Sequence, residues 1–376
     1  MIRLVVIAAF LLSLGTARAE GYDWRLPAWL PKPAVPQGNA MSRAKVELGR
    51  HLFYEKRLSL DGTFSCATCH QQALAFTDGK AQSVGVTGEV HPRSSMSLAN
   101  VAYNPVLTWA NPLLKLLENQ ALVPMFNEQP VEMGLTGREQ DVLRVLNGDP
   151  LYRELTRAAF PEDASGDVTI PKIAMAIASF ERTLISVNSP YDRYRFGRDQ
   201  SAISEEAKRG EALFFSEKFE CHHCHGSLNL NDNVVHERTQ FLEIAFHNTG
   251  LYNIAGTGNY PPFNSGVAEV TGRPEHVGLF RAPTLRNVAL TAPYMHDGSI
   301  ATLEEVIDHY AAGGRTIASG PLAGNGSQHP NKDMFVAGFK ITSEERSDLI
   351  AFLRALTDED FVRDPRFADP FATAKK

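Results

Sequence analysis

The sequence predicts a mostly α-helical protein built from two related units. Apolar residues recur at helical spacing in several stretches of the 376-residue chain, and no β-rich run of consequence is present. A degenerate repeat of lysine, glycine and a Leu-Phe pair relates residues 45–53 to residues 208–214. A chain of this length accommodates two domains of ordinary size.

Each copy of the repeat leads into a Cys-x-x-Cys-His motif. The residues are Cys66, Cys69 and His70 in the first motif and Cys221, Cys224 and His225 in the second. This spacing lets two thiols bond to the vinyl groups of one haem while the adjacent histidine binds its iron. The alternatives are a zinc site shared by the two cysteine pairs and a thioredoxin-like redox pair. All 4 cysteines of the chain are used and a histidine follows both pairs, so the motifs predict two covalently bound c-type haems in two cytochrome c-like domains.

Residues 1–19 have the composition of a secretory signal peptide. Arg3 precedes an apolar run from Leu4 to Leu14, and Ala17-Arg18-Ala19 offers a cleavage site. The run is too short to span a bilayer. Covalent haem attachment and export agree with each other, so we expect a periplasmic protein with no stable membrane insertion after cleavage.

The charge of the chain bears on its partners. A formal net charge of −6 argues against nucleic acid, because binding to phosphate backbones depends on clustered Lys and Arg. Docking to a basic electron-transfer protein is one interpretation of this acidity, and simple solubility is the other.

The N-terminal half is expected to hold an arm and a first haem domain. Residues 20–40 are rich in proline and predict an extended arm, and residues 41–190 form the expected first domain. Helices are predicted there over residues 41–56, 139–147 and 170–187. Residues 70–109 show little periodicity, so we expect irregular chain wrapped around haem.

The expected second haem domain covers residues 191–376. A charged stretch over residues 191–200 is interpreted as a linker between the domains. Ser204 is a suitable N-cap for a helix that continues to Phe215. Two amphipathic helices are predicted near the end of the chain, over residues 303–312 and 343–356.

Four further stretches carry a resemblance to a known family. They are Leu48-Gly49-Arg50-His51-Leu52-Phe53, Leu58-Ser59-x-Asp61-Gly62, Arg281-Ala282-Pro283-Thr284-Leu285-Arg286-Asn287 and Pro293-Tyr294-Met295-His296-Asp297-Gly298. On these the chain resembles the bacterial dihaem cytochrome c peroxidase and MauG superfamily, in its MauG-like (MbnH-like) branch. The resemblance covers nearly the whole mature chain. It implies a peroxide-reactive haem in the first domain and an electron-transfer haem in the second.

The resemblance also implies the distal ligand of the second haem. Peroxidases of the family place a methionine fourteen residues after the histidine of Pro-Tyr-x-His-Asp-Gly, and that position here is Tyr310. MauG-like members are similar in having tyrosine there. A phenolate favours ferric and higher oxidation states, whereas a thioether favours ferrous iron. The rival ligands are the neighbouring His309 and the downstream Met334.

Four catalytic residues are implied by the same resemblance. Trp109 occupies the place of a tryptophan between the two haems, where its indole would relay electrons, although packing against haem is the alternative. Gln120, Pro124 and Glu132 correspond to the distal pocket of the first haem, with the glutamate moving protons during O–O cleavage. Glu128 is a rival for that glutamate.

Two further features of the first haem region follow from the resemblance. His91 is off the spacing of the histidine that caps the first haem in some resting peroxidases, so we expect a loop histidine and an open iron. A calcium ion between the domains is also implied, with the carbonyls of Thr291 and Pro293 and the side chain of Ser94 as its protein ligands.

We therefore expect an enzyme, a haem peroxidase of the MauG type that acts on hydrogen peroxide. It would form a high-valent dihaem state that oxidises residues of a partner protein by long-range electron transfer. The first alternative is a dihaem cytochrome c peroxidase that reduces hydrogen peroxide to water with electrons from a small cytochrome. The second is a non-enzymatic dihaem protein for electron transfer or redox sensing.

Overall fold

The computed structural model describes residues 22–372, so the expected signal peptide lies outside the described residues. The mostly α fold class is confirmed, because strand within this range is confined to the antiparallel pair β1 (Thr316–Ile317) and β2 (Gly324–Asn325). The helices are α1 (Arg43–Tyr54), α2 (Cys66–Cys69), α3 (Leu117–Phe126), α4 (Glu139–Asn147), α5 (Pro150–Ala159), α6 (Ile170–Glu181), α7 (Pro190–Arg195), α8 (Glu205–Phe214), α9 (His222–His225), α10 (Ala268–Thr271), α11 (Leu303–Ala311) and α12 (Ser343–Ala355).

The crossing of α1 and α6 forms the centre of the N-terminal unit. Ser42 caps α1 by accepting a hydrogen bond from the backbone N–H of Lys45. Gly49 lies against α6, where an added Cβ would overlap the backbone carbonyl of Ala176. Phe53 packs on Phe180 with ring centroids 5.2 Å apart. Glycine at this position therefore lets the two helix backbones approach closely.

The crossing of α8 and α12 repeats this arrangement in the C-terminal unit. Ser204 caps α8 through the N–H of Ala207. A Cβ at Gly210 would overlap the carbonyl of Asp348, and Phe214 packs on Phe352 at 5.1 Å. The repeat seen in the sequence thus corresponds to one helix crossing built twice, each ahead of a Cys-x-x-Cys-His motif.

The interpretation of residues 191–200 as a linker is wrong for their first half. Helix α7 begins there with a capping box between Ser189 and Asp192. Tyr191 is buried in the C-terminal core. Asp192 pairs with Arg286 at 2.8 Å, and both side chains are only 2% exposed. The stretch was interpreted as a linker because it is charged, whereas Asp192 forms a buried ion pair.

The chain end departs from the expected second domain. Phe361 and Phe367 belong to the N-terminal core, where Phe361 packs on Phe76 at 5.6 Å. The Tyr54 hydroxyl donates to the carbonyl of Phe367. Residues after α12 therefore return to the first unit, and the range 191–376 does not form one separate body.

The proline-rich arm lies on the body of the molecule. Trp29 stacks on Phe196 with ring centroids 4.0 Å apart, and the carbonyl of Pro31 accepts a hydrogen bond from the Tyr103 hydroxyl. Asn39, at the end of the arm, donates to Glu118 of α3. Across residues 22–372, none of the helices has the length and apolar character needed to cross a membrane.

Candidate dihaem site

The first motif presents His70 as a neutral ligand. Nδ1 of His70 lies 2.8 Å from the carbonyl oxygen of Phe76, which leaves Nε2 for a metal. Burial lowers the pKa of His70, and neutral imidazole is the form that binds iron. Phe76 has a φ of 63°, and this left-handed turn brings its carbonyl back to the histidine.

The second motif has the same local geometry. Nδ1 of His225 lies 2.9 Å from the carbonyl oxygen of Leu230, and Leu230 also has a positive φ, 50°. Burial lowers the pKa of His225. Each unit therefore fixes the histidine of its motif with a carbonyl from a short left-handed turn a few residues downstream.

The cysteines do not form a shared zinc site. Cys66 packs against the N-terminal core and Cys221 against the C-terminal core. Within residues 22–372, no group of three metal-binding side chains contains a cysteine. Two separate thiol pairs, each followed by a free imidazole nitrogen, fit two covalent haems and exclude the zinc alternative.

A cavity in the C-terminal unit has the lining that a haem requires. Cys221, Cys224 and His225 line it together with apolar side chains. Arg281 also lines it, and one terminal nitrogen of this buried guanidinium has no hydrogen-bond partner in the described chain. A haem propionate would satisfy such a donor, so the residues present fit the group.

Tyr310 of α11 lines the same cavity as His225. Burial raises the pKa of its phenol. The rival His309 is buried, with its pKa lowered to about 4 by desolvation, and it does not line the cavity. The rival Met334 is 80% exposed. Of the three candidate ligands, Tyr310 is the one whose side chain borders the second haem cavity.

Trp109 lies on the wall of this cavity that faces the N-terminal unit. Its indole N–H donates to the carbonyl of Ser94 at 2.9 Å, and its own carbonyl accepts from the backbone N–H of Arg281. The ring meets His296 edge-on, with centroids 6.5 Å apart. Contacts from both units thus fix the orientation of the indole.

Gln120 and Pro124 belong to α3, and Glu132 lies on the segment that returns to this helix. Gln120 and Pro124 are four residues apart on one helix face. The backbone N–H of Met133 donates to the carbonyl of Pro124, which holds the neighbouring Glu132 beside the helix. Desolvation raises the pKa of Glu132 to about 7, whereas its rival Glu128 is exposed.

Glu132 also acts on the first haem motif. Burial first, and then the charges of Asp78 and Glu132, raise the pKa of the Cys69 thiol to about 11. Because charge interactions inside a protein weaken with distance, this effect indicates that the Glu132 carboxyl faces the region of Cys69.

The residues expected to bind calcium border one cavity. Ser94, Thr291 and Pro293 all line the cavity that Cys221 and His225 also line. The Ser94 hydroxyl donates to the carbonyl of Met295 at 3.3 Å. His91 is half-buried, and its Nδ1 accepts the backbone N–H of Arg93, so its ring is used within its own loop.

Sequence reasoning assigned no role to three buried or half-buried ionisable groups, Glu181, His247 and Arg281. Glu181 is 5% exposed, with one carboxylate oxygen unpartnered in the described chain. His247 lies between Asp232 at 2.9 Å and Asp333 at 2.6 Å. Arg281 lies beside Trp109. The only signal for Glu181 was a Glu-Arg pair at the end of an apolar helix pattern.

Comparisons with known proteins identify related sequences. A family model described as Di-haem cytochrome c peroxidase matches residues 43–200. The methylamine utilization protein MauG of Methylorubrum extorquens is 32% identical over 338 residues, which is 89% of this chain and 84% of the relative. The cytochrome-c peroxidase IdrP1 of Pseudomonas sp. strain SCT is 34% identical over 381 residues, covering 95% and 92%.

A solved structure is similar over almost the whole described chain. It is described as a MauG-like protein associated with microbial copper homeostasis. It is 49% identical, covers 93% of this chain and 100% of its own, and superposes with a TM-score of 0.91. These similarities confirm the family resemblance and the fold. Both MauG and peroxidase names occur among the relatives.

Proposed function

Because this chain belongs to the di-haem cytochrome c peroxidase family, whose members are haem oxidoreductases acting on peroxide, we propose that it is a MauG-type enzyme. It uses hydrogen peroxide to oxidise residues of a partner protein by long-range electron transfer. We infer that the partner protein does not enter the first motif itself and that electrons travel from the partner surface through the protein matrix.

Tyr310 is the observation that carries this proposal. It borders the cavity of the C-terminal unit together with His225. A peroxidase that draws electrons from a small cytochrome needs an easily reduced haem at that position. When bound, the two haems supply the redox chemistry, one reacting with peroxide and both storing oxidising equivalents. An anionic phenolate ligand stabilises oxidised iron, which favours storage over reduction by a cytochrome.

The protein residues supply proton transfer and coupling. Glu132, with its pKa near 7, would accept a proton from one peroxide oxygen and return it to the oxygen that leaves as water. Gln120 and Pro124 bound the space in which peroxide lies. Trp109 relays electrons between the two units, since its ring is held by contacts with both.

Several parts of the proposal concern assembly and location. The peroxide-reactive haem belongs to the N-terminal unit, beginning at residue 41, and the electron-transfer haem to the unit that begins at about residue 191. The signal peptide over residues 1–19 supports a periplasmic location. We also propose a calcium ion between the units, bound by Ser94 and the carbonyls of Thr291 and Pro293. Metal analysis before and after chelation tests that ion.

Replacement of Tyr310 tests the proposed function. We expect the wild-type protein to react with peroxide yet to oxidise a reduced small cytochrome c only slowly. Tyr310→Met should give a more easily reduced second haem and faster cytochrome oxidation, measured by stopped-flow absorption. Tyr310→Phe should change the spectrum of the second haem alone.

Two outcomes would contradict the proposal. Rapid peroxide-dependent oxidation of the cytochrome by the wild type would make the chain an ordinary dihaem cytochrome c peroxidase. Two six-coordinate haems without reaction with peroxide would make it an electron-transfer or sensing protein.

A further inference from the structure

We propose that His222, His223 and Glu217 bind a divalent transition-metal ion at the surface beside the second haem motif, with Glu220 as a fourth donor. The ion is of the Cu²⁺ or Zn²⁺ class. Such a site is separate from the two haem irons and does not depend on the proposed function.

His222 and His223 occupy the two x positions of the second Cys-x-x-Cys-His motif. Cys221 and Cys224 line the haem cavity, whereas the rings of His222 and His223 do not. Their side chains are 22% and 30% exposed. Both imidazoles are therefore outside the cavity lining, while Glu220 and Phe335, the neighbours of His223, border the cavity as well.

The two imidazoles lie side by side. Neighbouring residues on a helix usually point in different directions, yet these ring centroids are only 4.2 Å apart. Phe335 stacks on His223 at 3.8 Å and 13°, and Phe215 approaches His222 at 6.4 Å. Aromatic contacts on both sides thus hold the histidine pair in one orientation.

The donor atoms have the spacing of ligands around one ion. Glu217 places Oε1 3.6 Å from Nε2 of His222 and Oε2 4.0 Å from Nε2 of His223. One donor atom from each residue lies within 4.8 Å of the others. Two ligands that each bind an ion at about 2.0–2.2 Å lie roughly 3–4 Å apart, so small side-chain movements complete the site.

The same side chains do not satisfy each other by hydrogen bonding. Oε2 of Glu220 lies 2.6 Å from Nε2 of His223, but the contact lacks hydrogen-bond geometry, so this buried oxygen has no hydrogen-bond partner in the described chain. A cation bound between Nε2 of His222, Nε2 of His223 and the glutamate oxygens would convert these close contacts into ligand bonds.

The donor set indicates which ions bind. Two imidazole nitrogens with carboxylate oxygens suit copper and zinc, whereas Ca²⁺ and Mg²⁺ prefer oxygen ligands alone. Affinity for such a set rises to Cu²⁺ and falls again at Zn²⁺. We therefore expect Cu²⁺ to bind more tightly than Zn²⁺.

Copper titration of the chelator-treated dihaem protein tests the site. We expect one equivalent of Cu²⁺ to bind, with an electron paramagnetic resonance spectrum that shows two nitrogen ligands. His222→Gln and His223→Gln should each weaken binding by at least about tenfold and remove one nitrogen from the spectrum. Both variants keep the cysteines and His225, so haem absorption confirms their integrity.

His236→Gln is the matched control, because His236 is a half-buried histidine away from this cluster. It should bind Cu²⁺ as the wild type does. Absence of a one-to-one binding step in the wild type would overturn the proposal. Unchanged affinity in both His222→Gln and His223→Gln would overturn it as well, because the copper would then lie elsewhere.

Discussion

At the residue scale, the burial of Glu132 sets the pH dependence of the proposed proton transfer. Desolvation raises the pKa of its carboxyl to about 7, so the ionised form, which in the proposed function accepts a proton from peroxide, appears as pH rises through that value. We expect the rate of the peroxide reaction to increase with pH around 7. Glu132→Gln should slow it by about 10²-fold and abolish this dependence, as measured by stopped-flow absorption.

Glu128→Gln is the control for this prediction, because Glu128 is exposed and was the rival for the same role. It should keep both the rate and the pH profile of the wild type. A slow, pH-independent reaction in Glu128→Gln would transfer the proton-transfer role to that residue.

Glu181 makes stability depend on pH. Burial raises its pKa to about 8, while Arg182 opposes the shift and Glu118 adds to it. In the unfolded chain this carboxyl titrates near its usual value of about 4.3. Between these two values the folded state binds more protons than the unfolded state, so the free energy of unfolding falls as pH rises.

We therefore expect Glu181→Gln to be more stable than the wild type by up to about 5 kcal/mol at pH 8, with little difference near pH 4.5. Chemical denaturation of the dihaem protein at a series of pH values measures this. Glu154→Gln, at an exposed glutamate of α5, should show no such gain. Equal stability of wild type and Glu181→Gln at pH 8 would show that the carboxyl is not held neutral by burial.

The residues of the site differ in how far the sequence could reveal them. Cys66, Cys69 and His70 are adjacent along the chain, so their spacing alone carries the chemistry. Tyr310 and Glu132 needed a family resemblance, because nothing local relates them to a haem. Glu181 could not be found, since its burial arises only from the packing of α6 within the N-terminal core.

At the scale of elements, the two helix crossings depend on Gly49 and Gly210. An added methyl group at either position would overlap a backbone carbonyl of the facing helix, which cannot move as a flexible side chain would. We expect Gly49→Ala and Gly210→Ala each to lower the free energy of unfolding by about 1–3 kcal/mol, measured by denaturation.

Gly38→Ala provides the control, because nothing lies within 4 Å of its added Cβ. It should be neutral or slightly stabilising, as a less flexible unfolded chain implies. If Gly49→Ala were as stable as Gly38→Ala, the close approach of α1 and α6 would not depend on glycine.

Amphipathic helices were found from the sequence, while helices that break local rules were not. The prediction over residues 139–147 coincides with α4, since its apolar spacing is regular. Helix α3 contains Pro124 and has a weak apolar pattern, so propensity argued against it. Helix α7 was hidden by its charged residues, because the burial of one of them, Asp192, depends on Arg286 from a distant part of the chain.

At the scale of the whole molecule, long-range contacts join the two units. Residues 361–367 return to the N-terminal core, and the hydroxyl of Ser186 donates to Asp358 across 172 residues of sequence. No periodicity in the sequence indicates such a return. These contacts fix the units relative to each other, which a relay between two haems requires.

Trp109 makes contacts with both units, at the place where the proposed relay would pass electrons. Its indole donates to Ser94 of the N-terminal unit, and its carbonyl is held by Arg281 of the C-terminal unit. Trp109→Phe keeps an aromatic ring but removes the indole and its hydrogen bond. We expect this variant to retain both haems and react with peroxide at the first haem, while the accompanying spectral change at the second haem becomes slow.

Rapid-mixing absorption spectroscopy separates slow coupling between the haems from a slow reaction with peroxide. Glu132→Gln should slow the reaction with peroxide and leave the coupling between the haems intact. Trp29→Phe is the matched control, because Trp29 belongs to the N-terminal arm and stacks on Phe196. This variant should behave as the wild type. If the second haem of Trp109→Phe responded to peroxide at the wild-type rate, electrons would pass between the units by another route, and the contacts of Trp109 with both units would serve packing alone.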